Sequence, residues 1–279
     1  MTSRDSFIAD RLFDAGAGAG PILGIDTGSR AAALAVICAG RVVAERTASS
    51  SSHCAGLPGQ VDDLLKFAEV SLSDLRGFAV GLGPGSYTGL RVALGYVKGL
   101  AAVLEIPVAG VPSLDAMAYA AAALKSAPAG SFVCPVVDAR KQEIYTALYR
   151  VGADALEKII EDLVTEPEHL CPPINGDLLL VGDAKVQAAA SVLDTKDGRI
   201  GVLDADGIAS LGRFVAALGA ARIARGESDL LATLEPRYVR PVEATFRPAK
   251  AGPPTAGAED LWRSEKKSWF ANLQPTTRN

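Results

Sequence analysis

Gly83-Pro84-Gly85-Ser86-Tyr87-Thr88-Gly89-Leu90-Arg91 stands between an apolar, strand-like run, Gly77 to Leu82, and a helical run that reaches Leu104. Fixing glycine costs more backbone entropy than fixing any other residue, and proline cannot donate a hydrogen bond. Three glycines and a proline in seven residues therefore mark a tight turn. Beyond it, Leu90, Ala93 or Leu94, Val97, Ala101 and Leu104 recur at three- and four-residue steps and give the next helix an apolar face. Such a loop hands backbone N–H groups to a helix start, where unpaired donors and the positive end of the dipole suit an anion or another polar partner. Glycines in a strand-to-helix turn also serve close packing alone, and the spacing leaves both uses open.

Three familiar sites fail on spacing. No Gly-x-x-x-x-Gly-Lys-Ser/Thr occurs, and Gly81, Gly83 and Gly85 do not complete Gly-x-Gly-x-x-Gly because position 88 is Thr. Ser86 has Pro84 and Thr88 where a nucleophile elbow needs glycines, which makes it a poor nucleophile candidate. The following helix carries Gly95 and Gly99 four apart, with Val92 and Ala102 nearby, and small residues at that spacing let another helix approach closely. Arg91 and Lys98, seven apart, share a side and can reach a partner's carboxylate or solvent. An intramolecular helix contact fits the glycines as well as a partner does.

A chain of 279 residues with 49% hydrophobic content has ample material for one large domain or two lobes. Its net charge of -4 argues against gripping nucleic acid unaided, because that affinity comes mainly from lysine and arginine meeting phosphates. Cys38, Cys54, Cys134 and Cys171 are scattered without a Cys-x-x-Cys, so neither a disulfide framework nor a zinc ribbon is indicated, and buried thiols of a cytoplasmic protein are expected. Charges interrupt every apolar stretch before eighteen residues, and no membrane span is expected. Residues 1–20 mix charges with apolar residues and close on Ala15-Gly16-Ala17-Gly18-Ala19-Gly20, which reads as a flexible extension rather than a signal peptide.

Three short strands open the fold: Ile22 to Asp26, Ala31 to Cys38 and Arg41 to Thr47, the last two joined at Ala39-Gly40. The first ends in Asp26-Thr27-Gly28-Ser29, and this opening resembles the actin, Hsp70 and sugar-kinase fold, in which the acidic turn faces nucleotide phosphates or their metal. An Asx turn, with Asp26 bonding its own backbone, explains the same residues. Ser49 to Gly56 forms a polar loop with His53, and Leu57-Pro58 opens a helix in which Val61, Leu64, Leu65 and Ala68 share a face. A strand over Ile106 to Val111 leads to a helix from Pro112-Ser113 to about Lys125, with Ser113 as its N-cap. Ser131 to Asp138 and Glu143 to Val151 form a hairpin around Ala139-Arg140-Lys141-Gln142. A strand at Leu178 to Val181 and helices over about Ala184 to Leu193 and Gly207 to Arg225 follow. Strands and helices in this order, twice over, predict two α/β lobes, 21–110 and 111–241, with the late helix able to return to the first lobe. Asp138, Arg140, Glu143 and Tyr145 are the densest polar group of the second half. They suit acid–base work, or an ion pair that only fixes the turn.

Gly83 to Arg91 followed by Lys98-Gly99-Leu100-Ala101 resembles the signature of the bacterial TsaB (YeaZ) family, whose usual form has Phe at the place of Tyr87. Ile22 to Thr27, Pro112-Ser113-Leu114 and Val136 to Tyr145 are similar to further blocks of that family, in the same order, over roughly residues 22 to 185. Pro236-Arg237-Tyr238-Val239-Arg240-Pro241 looks like its closing segment. One departure is plain: the family's His-Ser-Glu before the second helix is His53-Cys54-Ala55-Gly56 here.

The resemblance implies a two-lobed α/β protein of the actin/Hsp70/sugar-kinase type, ribonuclease H-like, that works in the cytoplasm on tRNA modification. It implies a non-catalytic partner of TsaD in forming N6-threonylcarbamoyladenosine beside the anticodon of ANN-decoding tRNAs. The ATPase TsaE joins the assembly, tRNA is met through the complex, and the chain pairs with itself when alone. TsaB-like proteins pair through helices of this lobe, which makes Val61, Leu64, Leu65, Arg91, Val92, Gly95, Lys98, Gly99 and Ala102 the expected interface. No cofactor is required, ATP or ADP having a place at the complex interface, and Asp26, Thr27, Gly83, Gly85 and Ser86 are the candidate nucleotide or anion contacts. No metal is expected, since His53 and His169 lie apart and no His-x-x-x-His pair like that of TsaD is present. The competing class is an enzyme in its own right, either a nucleotide-dependent phosphotransferase of the actin-like fold or a metal-independent glycoprotease-like hydrolase. The end beyond Val242 is Pro-, Ala- and Gly-rich and locally basic, a flexible tail that stays solvated or touches RNA held by the complex.

Overall fold

A computed structural model describes residues 7–29, 31–48, 56–170, 174–183, 185–193, 198–204 and 211–240. The expected loop around His53, the start of the late helix at 207–210 and the tail from residue 242 lie outside the described residues. Residues 1–241 form one unit.

Two five-stranded sheets organise it. The first is built from β1 (Ile22–Asp26), β2 (Ala32–Cys38), β3 (Arg41–Ala48), β4 (Gly77–Gly81) and β5 (Val108–Val111), in the order β3-β2-β1-β4-β5. The second is built from β6 (Phe132–Arg140), β7 (Glu143–Val151), β8 (Leu156–Thr165), β9 (Leu178–Gly182) and β10 (Ile200–Asp204), in the order β10-β9-β6-β7-β8. In each sheet an antiparallel meander of three strands is followed by two strands parallel to the first. The repeated order is the two-lobed α/β arrangement expected from the chain's opening strands. β8 and β10 were not expected from the sequence. In β8 the charges Glu157, Lys158, Glu161 and Asp162 interrupt the apolar residues, and β10 is a short, half-exposed edge strand.

Alternation along β1 separates the two faces of the first sheet. Leu23 and Ile25 pack with Val61, Leu64 and Leu65 of α2 (Leu57–Phe67) and with Ala93, Leu94, Val97 and Ala101 of α3 (Tyr87–Leu104). Ile22 and Gly24 face α6 (Leu211–Ala224), where a side chain at Gly24 would come within 2.6 Å of the Ala216 backbone nitrogen and Cβ. Glycine there lets the helix lie against the strand. Between the sheets runs α4 (Ser113–Leu124), with Ala116 and Ala120 toward α6 and Leu114, Met117, Ala118 and Ala121 toward Val133, Ala147, Tyr149 and Val181. On the far face of the second sheet, α5 (Val186–Val192) contributes Val186 and Ala189.

Residues 7–15 correct the expectation of a flexible extension: they form α1 (Phe7–Ala15), and Ile8 and Leu12 are buried against α4 and α6. Ile8, Leu12 and Ala15 hold helical spacing, a pattern that the interspersed Asp and Arg obscured. Gly16 ends the helix where a Cβ would meet that of Ala220 at 2.7 Å, so a linker-like glycine proves to be a packing residue.

Candidate functional site

The signature loop is sewn to the end of β1. Asp26 is wholly buried; its Oδ1 accepts from the Gly28 amide at 2.9 Å and its Oδ2 accepts from Ser113 Oγ at 2.5 Å. Ser113 Oγ in turn accepts from the Gly83 amide at 3.1 Å, and the Ser113 amide donates to the Gly83 carbonyl at 2.8 Å. Thr27 Oγ1 donates to the Gly89 carbonyl at 2.7 Å, and the Ser86 amide donates to the Gly28 carbonyl at 2.7 Å. The Asx turn is thus present, and the donors at Gly83, Ser86 and Gly89 meet protein acceptors, Ser86 Oγ capping α3 through the Gly89 amide at 3.2 Å. A Cβ at Gly81 would overlap the Asp26 carboxylate, one at Gly85 the Gly28 carbonyl, and one at Gly89 the Thr27 carbonyl. These glycines permit the backbone of one turn to lie on the other. Burial raises the Asp26 pKa above its usual value, against the opposing bonds from Ser113 and the Gly28 and Ser29 backbone.

Ser113 corrects its sequence reading. Pro112 occupies the N-cap position of α4, and the serine hydroxyl turns inward to serve Asp26 and Gly83.

Of the residues expected at a partner interface, Val61, Leu64 and Leu65 lie inside the core of the first sheet, and this corrects their placement. The three- and four-residue spacing that marks an amphipathic helix turns them toward the sheet. The outer side of α2 carries Pro58, Gly59, Asp62, Asp63, Lys66 and Phe67. On α3 the expectation divides. Gly95, Gly99 and Ala102 are exposed, and a Cβ built at either glycine meets nothing within 4 Å. Val92 is half-buried against the core. Arg91 and Lys98 are engaged within the chain: Arg91 Nε donates to the Tyr238 hydroxyl at 2.7 Å, and Lys98 Nζ donates to the Leu234 carbonyl at 2.8 Å.

Asp138, Arg140, Glu143 and Tyr145 gather at the β6–β7 turn. The Arg140 amide donates to Asp138 Oδ1 at 2.9 Å and its guanidinium lies 3.5 Å from Asp138 Oδ2, so this pair fixes the turn. Glu143 pairs instead with Arg240. Among the described residues, no three His, Cys, Asp or Glu side chains form a group able to hold a metal ion.

Two features escaped the sequence reading. Residues 229–240 run as a strap from β5 over α3 to the second sheet, with the Tyr238 ring tilted at 33° against that of Tyr87, their centres 5.7 Å apart, and the Arg91 guanidinium 4.2 Å from the Tyr87 ring centre. Behind the strap, Lys158 Nζ bonds Asp115 at 2.7 Å and Asp162 at 2.8 Å, and the Tyr149 hydroxyl donates to Asp115 at 2.6 Å. Burial and then the Asp115 carboxylate drive the Tyr149 phenol well above its usual range. For Lys158 burial alone would lower the pKa, and the bonds to Asp115 and Asp162 outweigh it. Only the aromatic and arginine of Pro236 to Pro241 hinted at the strap, and a pairing across more than 100 residues has no local signature.

The doubled meander-plus-parallel order, with a glycine-rich turn locked to the end of the first strand, defines a two-lobed α/β protein of the actin-like class. A family model described as "TsaD: tRNA N6-adenosine threonylcarbamoyltransferase" matches residues 41–191. "tRNA threonylcarbamoyladenosine biosynthesis protein TsaB" of Haemophilus influenzae is 30% identical over 164 residues, 56% of this chain and 68% of that protein. The protein of the same name from Bacillus subtilis is 32% identical over 142 residues, 50% of this chain and 60% of that one, so the chain spans less than two thirds of that relative's length. The solved structure of YeaZ from Pseudomonas aeruginosa superposes with a TM-score of 0.68 at 28% identity, covering 78% of this chain and 99% of that one. The chain belongs to the TsaB (YeaZ) family. No helix among the described residues is long and apolar enough to cross a membrane.

Proposed function

We propose that this protein is a non-catalytic partner of a TsaD-type transferase in making N6-threonylcarbamoyladenosine in tRNA, next to the anticodon of ANN-decoding tRNAs. The exposed side of α3 is its docking face. Gly95, Gly99 and Ala102 carry this reading: they leave a shallow groove on a helix whose opposite side is buried, which suits a partner helix at close approach. Family membership supports the pathway. The locked Asp26 turn supports a structural use of the loop, because its carboxylate oxygens already have partners inside the protein. In this reading TsaE and ATP act at the assembled complex, tRNA is held by the complex, and the same face of α3 pairs two copies when the partner is absent.

Gly95→Leu and Gly99→Leu test it. Space around both Cβ positions is open, so each variant is expected to fold, and its monomer to unfold at or above the temperature of the wild-type monomer, since glycine inside a helix costs about 1 kcal/mol against a helix-forming residue. With TsaD, TsaE, ATP, tRNA and threonylcarbamoyl-adenylate, heteromer assembly and modified-nucleoside yield should both fall. Folded variants that assemble and support product as the wild type does would refute the docking face. Robust turnover by the lone chain would refute the non-catalytic role.

A further inference from the structure

The strap divides into halves held by different forces. From Asp229 to Leu234 it belongs to the first sheet: the Asp229 amide donates to the Val108 carbonyl at 2.8 Å, and the Asp229 carboxylate accepts from the Gly110 amide at 2.7 Å and from Arg222 at 2.9 Å. Leu231 and Leu234 enter the core behind α3. From Glu235 to Arg240 only Pro236 is buried, and the side-chain attachments to the second sheet are ionic. Arg237 donates its amide to the Leu82 carbonyl at 2.8 Å but points its guanidinium at Asp162, 3.5 Å away, and at Glu161, 4.0 Å away. Arg240 pairs with Glu143 on β7.

Asp162 gives this second half its direction. Its side chain is 2% exposed, and while Oδ1 bonds Lys158, Oδ2 has no hydrogen-bond partner and faces Arg237 at a distance too long for one. A buried carboxylate oxygen left short of a donor is costly, so Arg237 is drawn toward it. Arg237 is 41% exposed and Glu161 79%, and a pair of that exposure is weak and screened by salt, which leaves Arg240 and Glu143, at 21% and 32%, as the firmer of the ionic attachments.

We infer that residues 235–240 are a releasable ionic latch between the first sheet and the second, hinged on the fixed anchor at 229–234. Closing it brings Arg237 onto Asp162. Opening it frees the Leu82 carbonyl and lifts Tyr238 off Tyr87 and Arg91, which bares the faces of those two side chains that Tyr238 covers at the otherwise exposed N-terminal end of α3. The latch regulates access to those two side-chain faces, and it stands independently of which partner uses α3.

Amide hydrogen exchange on the full chain tests it. In Arg240→Glu, exchange at Arg237 should quicken by about tenfold or more, as expected for local opening, while the Gly110 amide, held by Asp229 in the anchor, keeps its wild-type protection. Adding Glu143→Arg to the same chain should restore the Arg237 protection by reversing the pair. Raised salt should quicken Arg237 exchange in the wild type in the same direction. Should Arg240→Glu fold poorly, Arg237→Met is read at the amide of residue 237 with the same expectation. Equal opening of residues 110 and 237, or a charge swap that restores nothing, would overturn the latch and leave the strap one unit held by its leucines.

Discussion

Ser113 Oγ donates to Asp26 Oδ2 at 2.5 Å across 87 residues of chain, and so ties the end of β1 to the start of α4 beneath the signature loop. The same hydroxyl accepts from Gly83, so a single side chain joins the three backbone segments that surround the loop.

Ser113→Ala removes a donor from a buried carboxylate and an acceptor from a buried amide. The expected loss is about 1–3 kcal/mol in urea unfolding, the usual cost of stranding a buried polar partner. A loss below about 0.5 kcal/mol would mean that the junction does not depend on this bond.

Asp26 and Asp229 should respond to pH with opposite signs. The folded pKa of Asp26 is raised above 3.8, chiefly by burial, so its contribution to stability is full below that value and is lost as pH rises through the folded pKa. For Asp229, burial pushes upward but the bonds from Arg222 and the Gly110 amide prevail and hold the pKa below 3.8; its contribution is present above that value and is lost as pH falls through the folded pKa. Unfolding free energies measured across the acid range should therefore show Asp26→Asn gaining on the wild type as pH rises. Asp229→Asn should lose to it most at neutral pH.

Gly24→Ala places a Cβ 2.6 Å from the Ala216 backbone nitrogen and 2.7 Å from the Gly212 carbonyl oxygen. Backbone cannot step aside as a side chain does, so α6 must move off the sheet. A loss of about 1–3 kcal/mol is expected from thermal or urea unfolding. Gly95→Ala, with nothing near its Cβ, is the matched control and should gain stability.

The β6–β7 turn holds Arg140, Lys141 and Gln142 at φ of 65°, 50° and 67°, a region that favours glycine and asparagine. Lys141→Asn with Gln142→Gly should stabilise the protein by about 1 kcal/mol or more, by relieving the left-handed cost of the native residues. An unchanged thermal midpoint would refute that gain.

The loop, the flanking strand and helix, both hairpins and the twofold α/β order were legible because each rests on local periodicity or on turn chemistry. α1 was hidden by charges set among its apolar residues, and β8 by the Glu157, Lys158, Glu161 and Asp162 that serve long-range pairs. The candidate site was harder to read. Apolar spacing correctly put Val61, Leu64 and Leu65 on one face of a helix, but a face turned toward a sheet and a face turned toward a partner have the same spacing.

What the sequence determined by itself was the family and the doubled α/β plan, because the ordered blocks from Ile22 to Tyr145 and the periods of the elements are properties of neighbouring residues. The tertiary structure alone decided which groups remain free. It closed Asp26 with Ser113, occupied Arg91 and Lys98 with the strap, and left Gly95 and Gly99 open. The physical reason is that a buried carboxylate or a reaching cation is satisfied by whatever the fold brings within about 3 Å, and that partner lies far away along the chain.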